Sequence, residues 1–112
     1  MIHKQLLVKL GILDEVRSYI DVLLKHNINP KQIILFGSLV KQKVHKYSDI
    51  DLAIVSEDFE GDSIEAMMTL AKLTMGISDR IEPIAISSQD LSSRYNSLIG
   101  EIKKYGKVVY SS

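Results

Sequence analysis

The sequence predicts an α/β (α+β) domain, in which helices pack on a mixed β-sheet of about four strands. Four short apolar runs alternate with longer segments in which apolar residues recur every three or four positions. Few of these runs are joined by hairpin turns, which favours a sheet with helices packed against it. At 112 residues we expect one domain, 1–112, with a modest two-layer core.

The order of the elements follows from this periodicity. The first helix has apolar residues at helical spacing, such as Val16 and Ile20, and Gly11 marks either an interruption in that helix or its start. Pro83 cannot donate a ladder hydrogen bond, which predicts that its strand lies at an edge of the sheet. The predicted helices cover residues 6–27, 38–43, 63–75 and 87–105, and the predicted strands cover residues 33–36, 49–55, 80–86 and 108–110.

Three of the four methionines lie on the helix predicted at residues 63–75. Met67, Met68 and Met75 belong to the apolar face of that segment. Methionine fills irregular gaps in protein cores and also serves adaptable binding surfaces. We expect core packing for these three side chains.

The strongest indication of chemistry lies between residues 33 and 55. Asp49 and Asp51 open the second apolar run, and side chains alternate between faces along a strand, so the two carboxylates point the same way. Neighbouring carboxylates repel each other unless a cation lies between them. A hard divalent ion that prefers oxygen ligands, Mg²⁺ above all, suits such a pair. The alternative is a solvated strand end or a helix cap.

Gly37 and Ser38 supply a complementary feature directly after the first apolar run. A turn without a side chain lets backbone N–H groups approach a phosphate, although an isolated Gly-Ser pair is usually only a turn. Both motifs adjoin continuous apolar runs, which predict strands that are buried on both faces. Acidic residues beside such a core are costly without a compensating cation. The conjunction therefore predicts a site for nucleotide chemistry.

The composition limits the classes of partner. Lys plus Arg number 14 and Asp plus Glu also number 14, so no global field recruits nucleic acid. The concentrated basic stretch (Lys41, Lys43, His45 and Lys46) is either a solvated loop or a surface that steers a triphosphate or a nucleic-acid end toward the carboxylates.

The sequence has no cysteine, no secretory signal and no apolar run approaching about 18 residues. We therefore expect a cytoplasmic protein without a membrane partner.

Gly37-Ser38, ten further residues and Asp49-Ile50-Asp51 resemble the GS-x10-D-x-D signature of the nucleotidyltransferase superfamily related to DNA polymerase beta. The small size is similar to that of the minimal nucleotidyltransferases of prokaryotes. The similarity also covers the preceding helix, the later strand predicted at residues 80–86 and the C-terminal strand. The resemblance implies a nucleotidyltransferase-like fold, with ATP as the substrate and Mg²⁺ as the cofactor.

By this resemblance, Asp49, Asp51 and Glu82 are the catalytic residues and the metal ligands. Two-metal transfer needs a third carboxylate on a neighbouring element, and Glu82 stands at the matching position. One alternative is that Glu82 is an exposed edge-strand residue that pairs with Arg80, and another is that Asp79, at the end of the preceding loop, supplies the third carboxylate. The resemblance further implies that the nucleotide is bound by Gly37, Ser38 and Lys41.

The segment after Gly-Ser departs from the family pattern. The family often continues x-Ala-Arg-Gly, whereas this chain has Leu39-Val40-Lys41-Gln42. Lys41 keeps a positive charge but lacks the bidentate fork of arginine. Gln42 replaces a glycine that would allow a tighter turn. These differences would reduce the affinity for the nucleotide or the rate of nucleotidyl transfer, or they would abolish activity.

The minimal size implies that a partner chain provides acceptor specificity. In the resembling family, minimal nucleotidyltransferases pair with small helical HEPN ribonuclease toxins, and they act as antitoxins by transferring AMP from ATP to a tyrosine of the toxin.

Nucleic acid is expected only as the end of a partner RNA. Two alternatives stay open: a catalytically weak or silent module that neutralises a helical partner by contact, and a nucleotidyltransferase that acts on a small molecule. The acceptor, the nucleotide base and the oligomeric state stay open as well.

Overall fold

The central sheet has four strands in the order β3-β2-β1-β4. β1 (Gln32–Phe36) pairs antiparallel with β2 (Ile50–Val55) and with β4 (Lys107–Ser111), whereas β2 pairs in parallel with β3 (Ile81–Ile86). The structure is a computed structural model and describes residues 1–41, 48–59, 63–91 and 97–112. The predicted mixed sheet of four strands with helices packed on it is confirmed.

Helices precede the first strand and connect later strands. Gly11 has a φ of +72° and separates the first two helices, so it interrupts the long helix that the periodicity predicts. The predicted helix at 38–43 is a short 3-10 helix, Gly37–Leu39, and residues 42 and 43 lie outside the described residues. The helices are α1 (Lys4–Lys9), α2 (Leu13–Lys25), α3 (Ser63–Lys72), α4 (Ser88–Leu91) and α5 (Ser97–Tyr105). Of the described helices, none has the length and apolar character needed to cross a membrane.

The two central strands bury side chains on both faces of the sheet, as their continuous apolar sequences predict. One face, which we call the α2 face, packs against α1, α2 and α3. The opposite face, which we call the α5 face, packs against Ile99 and Ile102 of α5. The α2 face consists of Ile33, Leu35, Ile50, Leu52, Ile54, Ile81 and Val109, and the α5 face includes Ile34, Phe36, Ala53, Val55 and Ile86.

The edges of the sheet are only partly open to another strand. β3 lies at one edge, as Pro83 predicts, and the backbone N–H of Ala85 donates to the thioether sulfur of Met67 at 2.9 Å. At the opposite edge, Ile2 forms a bridge with Tyr110 of β4. Backbone groups that an edge strand would offer to another chain are therefore partly occupied or missing on both sides.

The core role predicted for the methionines is wrong. Met68 is 69% exposed and Met75 is 78% exposed, and Met67 is also exposed, with its sulfur at the edge strand. α3 packs on β3, which is an edge strand, so only one side of the helix faces the sheet. Leu70 lies on that side and is fully buried, and Tyr19 of α2 donates its hydroxyl to the Leu70 carbonyl at 2.8 Å. Helical periodicity identifies an apolar face, but it does not reveal how much of that face the neighbouring sheet covers.

Substitutions on α3 test this assignment. Leu70→Ala should lower the free energy of unfolding by about 2–4 kcal/mol, because it leaves a cavity in the core. Met68→Ala on the same helix should change it by less than about 0.5 kcal/mol, because that side chain is already solvated. Denaturant unfolding of the two variants beside the parent protein measures both values. A cost for Met68→Ala equal to that for Leu70→Ala would contradict the described packing.

Candidate active site

The carboxylates of interest gather where β2 begins. Asp51 is the second residue of β2, and its register partners are Phe36 of β1 and Glu82 of β3. Side chains in register on neighbouring strands share a face, so Asp51 and Glu82 both belong to the α5 face, which also holds Ala53 and Val55. The positions of Asp51 and Glu82 therefore lie side by side on neighbouring strands. This placement results from the parallel alignment of β2 and β3.

Asp49 lies just before β2, whereas the sequence predicts that this strand begins at Asp49 itself. It is exposed, whereas Ile50 beside it is fully buried on the α2 face. Arg80 holds this part of the chain: its carbonyl accepts the Ile50 N–H at 2.8 Å, and its Nε donates to the Ser48 carbonyl at 3.1 Å. These two hydrogen bonds hold the residues on either side of Asp49 and thus fix the position of the Asp49 backbone.

The electrostatics of Asp51 show that like charges surround it. Partial burial raises the pKa of the Asp51 carboxyl above its ordinary value of 3.8, and the charges of Asp49, Glu82 and Glu101 raise this pKa further, in that order. Asp49, Asp51 and Glu82 were all predicted from the sequence. Glu101 was not. It lies on α5, and no motif marks it, because its proximity to Asp51 depends on how α5 packs across the sheet.

The Gly37-Ser38 turn lies directly against Asp51. Gly37 has a φ of +82°, and a Cβ atom at this position would lie 2.1 Å from Oδ2 of Asp51. No residue with a side chain fits there without moving the carboxylate. Ser38 follows in the 3-10 helix, and the carbonyl of Gly37 accepts the N–H groups of Val40 and Lys41, each at 3.3 Å. The two halves of the sequence motif are therefore in contact.

Lys41 leaves this turn toward α5. Its ammonium forms an ion pair with the carboxylate of Glu101 and lies 5.2 Å from the centroid of the Tyr105 ring. The other basic residues of the predicted patch, Lys43, His45 and Lys46, lie outside the described residues. Lys41 is thus the member of that patch that can be placed, and it lies beside the carboxylate cluster.

Arg80 does not pair with Glu82, which the alternative interpretation of Glu82 required. Its guanidinium binds Glu15 of α2, with 3.2 Å between Nη1 and Oε1. Glu82 is exposed instead. Arg80 therefore does not neutralise Glu82, and the negative charge of Glu82 raises the pKa of Asp51.

The donor atoms of this cluster suit a hard divalent cation in type and charge. They are carboxylate oxygens, and the raised pKa of Asp51 reflects repulsion that a cation would relieve. Within the described ranges, however, no three acidic or histidine side chains already converge closely enough to hold a metal ion. The strand pairing brings the backbones of Asp51 and Glu82 side by side, so rotation of exposed side chains is the movement that would complete a ligand set.

Comparison with known proteins agrees with this geometry. Residues 19–112 match the family model described as polymerase beta, nucleotidyltransferase. The chain belongs to this nucleotidyltransferase family. The resemblance noted in the sequence is thereby confirmed. A search of curated proteins returns no match.

Solved structures with a similar fold include nucleotidyltransferases and toxin–antitoxin proteins. One is described as a toxin-antitoxin with AMP-PNP: it is 26% identical, with a TM-score of 0.57, over 85% of this chain and 73% of that chain. Another, from Sulfolobus solfataricus, is assigned as a nucleotidyltransferase: it is 14% identical, with a TM-score of 0.65, over 95% of this chain and 87% of that chain. A variant of the toxin-antitoxin MntA-HpeT is 22% identical, with a TM-score of 0.59, over 89% of this chain and 75% of that chain.

Gly37→Ala tests the contact between the turn and Asp51, and Gly76→Ala is its matched control. Both glycines have a φ of +82°, but a Cβ at Gly76 meets nothing within 4 Å. Backbone strain of about 1–2 kcal/mol should affect both variants equally. Gly37→Ala should lose additional unfolding free energy, because its methyl group collides with the Asp51 carboxylate. Equal losses in thermal or denaturant unfolding would contradict the close approach.

Asp51→Asn tests the repulsion through its pH dependence. Because the pKa of Asp51 is raised in the folded protein, folding favours the protonated carboxyl, and its ionisation costs stability as the pH rises from the ordinary value through the raised one. The variant should therefore melt at a higher temperature than the parent at pH 7. This advantage should shrink as the pH falls through the raised pKa, and it should change little further below about 4. A parent that is more stable than the variant at pH 7 would show that the carboxylate contributes favourable contacts instead.

Proposed function

We propose that this protein transfers AMP from ATP to a tyrosine hydroxyl of a partner protein, and that it acts as the antitoxin of a toxin–antitoxin pair. Residues 1–112 would form the single catalytic domain. Membership of the nucleotidyltransferase family supports the reaction class. The observation that carries the proposal is the contact between the Gly37 turn and Asp51, with Glu82 in register beside it. In this proposal, the turn binds the phosphates beside a cluster of acidic oxygens.

The choice of nucleotide and of partner draws on the similar structures. One of them is described as containing AMP-PNP, which supports ATP as the donor. Toxin–antitoxin assemblies recur among the similar structures, which supports a toxin as the partner. A helical HEPN ribonuclease, with a tyrosine as the acceptor, is the partner that the sequence resemblance implies. A cytoplasmic location would suit an enzyme that uses ATP.

The residues of the cluster have distinct roles in this proposal. Asp49, Asp51 and Glu82 would hold Mg²⁺, which when bound neutralises charge on the triphosphate and on the departing pyrophosphate. Gly37 and Ser38 would position the outer phosphates through backbone N–H groups and the serine hydroxyl, and Lys41 would contribute a positive charge. Glu82 would also help to take the proton from the attacking hydroxyl.

The chemistry then requires no covalent enzyme intermediate. The acceptor oxygen attacks the α-phosphorus in line, the new P–O bond forms, and the bond from the α-phosphorus to the bridging oxygen breaks to release pyrophosphate. The acceptor's proton leaves to the base. The contribution of the chain is to hold the two reactants in line and to surround the transferring group with suitable charge.

Transfer from ATP labelled at the α-phosphate tests the proposal. The purified chain is incubated with this ATP, Mg²⁺ and the protein encoded beside it, and labelled protein is detected by electrophoresis and mass spectrometry. The proposal expects a mass increase of one or more AMP units on a tyrosine of the partner. Binding of the partner without a mass change would favour a silent module. Label on a small molecule alone would favour the other enzyme class.

The paired substitution Asp49→Asn with Asp51→Asn should reduce transfer by about a hundredfold or more, because it removes the proposed metal ligands. The variant should remain folded and melt at a higher temperature, since repulsion is removed. Glu57→Gln is the matched control for loss of an acidic charge, because Glu57 is exposed beyond the opposite end of β2. Retained transfer in the paired variant would refute the assigned metal ligands, and unfolding would show that the aspartates are structural.

A further inference from the structure

Lys41 is held in place from two directions. Its backbone N–H donates to the carbonyl of Gly37 at 3.3 Å, which fixes its position relative to the Gly37-Ser38 turn. Its side chain reaches across to α5, where the ammonium pairs with Glu101 and lies 5.2 Å from the ring centroid of Tyr105. Glu101 and Tyr105 are four residues apart and therefore share one side of the helix. The Lys41 side chain consequently contacts a single patch of α5.

The helix that makes these contacts is itself anchored to the sheet. Ile99 and Ile102 are buried against the α5 face. At the end of α5, a Cβ atom on Gly106 would lie 2.6 Å from Cγ2 of Ile34 and 2.3 Å from the carbonyl oxygen of Ile102. The chain therefore passes very close to β1 immediately after the helix. This close packing fixes the position of Glu101 relative to the strand that leads into the Gly37-Ser38 turn.

We propose that Glu101 is a positioning residue for the nucleotide site, which through its ion pair holds the Lys41 ammonium beside the turn that would receive the triphosphate. This inference rests on the proposed function, since it assumes that the turn binds phosphates. A lysine ammonium lies at the end of a flexible four-carbon stem, and ordering that stem costs conformational entropy. An ion pair that orders it before the nucleotide arrives lowers the cost of binding.

The ion pair also bears on a difference from the family pattern, because Lys41 stands where the family often has arginine. Arginine brings a planar, preorganised fork, whereas lysine brings a mobile point charge. The contacts with Glu101 and Tyr105 restrict that mobility from outside the residue. Glu101 is therefore distinct from the three proposed metal ligands: its carboxylate forms an ion pair with Lys41, and the proposed effect on the nucleotide is that of this ion pair.

Calorimetric binding of AMP-PNP in the presence of Mg²⁺ tests this role on the full chain. Glu101→Gln, which removes the charge and keeps the size, should weaken binding by about three- to tenfold. Lys41→Gln should weaken binding at least as much. The double variant should be no weaker than Lys41→Gln, because the proposed effect of Glu101 on binding requires the Lys41 ammonium. Glu57→Gln should bind as the parent does.

Two further variants separate positioning from a general structural effect. Glu101→Asp keeps the carboxylate on a shorter stem and should recover part of the lost affinity. In a Lys41→Arg background, Glu101→Gln should have a smaller effect, because arginine needs less external ordering. In the transfer reaction, Glu101→Gln should raise KM for ATP and leave kcat nearly unchanged. A purely structural role would lower the melting temperature without producing this pattern.

The outcomes distinguish this inference from the proposed function. Unchanged or tighter nucleotide binding by Glu101→Gln would overturn the positioning role, and so would additive losses in the double variant, which would indicate independent contacts. If Asp49→Asn with Asp51→Asn abolishes binding while the Glu101 variants behave as the parent, only the positioning role fails. If the parent chain does not bind the nucleotide with Mg²⁺, both proposals fail together.

Discussion

In the candidate site, the backbone of Gly37 lies directly against the carboxylate of Asp51, and the surrounding structure depends on this approach. Gly37 leaves no room for a side chain beside Asp51, and three other acidic groups act on the same carboxyl. Such a concentration of like charge opposes folding. The two apolar faces of β1 and β2 provide the burial that offsets it. The stable core and the strained polar end are thus parts of the same two strands.

The boundary between these parts is set by strand register. Ala53 and Val55 lie under α5, whereas Asp51, two residues earlier on the same face, lies where that cover ends. The in-register pairing of Asp51 with Glu82 continues the change from apolar to acidic onto β3. Arg80 contributes from the other side by binding Glu15 and the Ser48 carbonyl, which joins α2 to the chain entering β2. The positions of the charged side chains at the site therefore depend on the register of the strands more than on any single loop.

Several of these features could be predicted from the sequence because they depend on short-range patterns. A Gly-Ser pair after an apolar strand predicts a turn, and Pro83 predicts an edge strand. The partners of Arg80 and Lys41 could not be predicted in this way. Glu15 is 65 residues from Arg80 along the chain, and Glu101 is 60 residues from Lys41. Such pairs depend on how helices cross the sheet, about which local periodicity gives no information. The exposure of Met68 has the same origin, since it depends on how far the sheet extends beneath α3.

The two sheet edges have a consequence for how the protein can associate with other chains. An incoming strand beside β3 would meet no amide donor at Pro83, and it would compete with the thioether of Met67 for the amide of Ala85. Beside β4 it would meet the bridge that Ile2 already makes with Tyr110. Sheet extension, which drives amyloid-like stacking and many domain-swapped dimers, is therefore disfavoured on both flanks. Association through surfaces formed by side chains is therefore less obstructed than association through the strand edges.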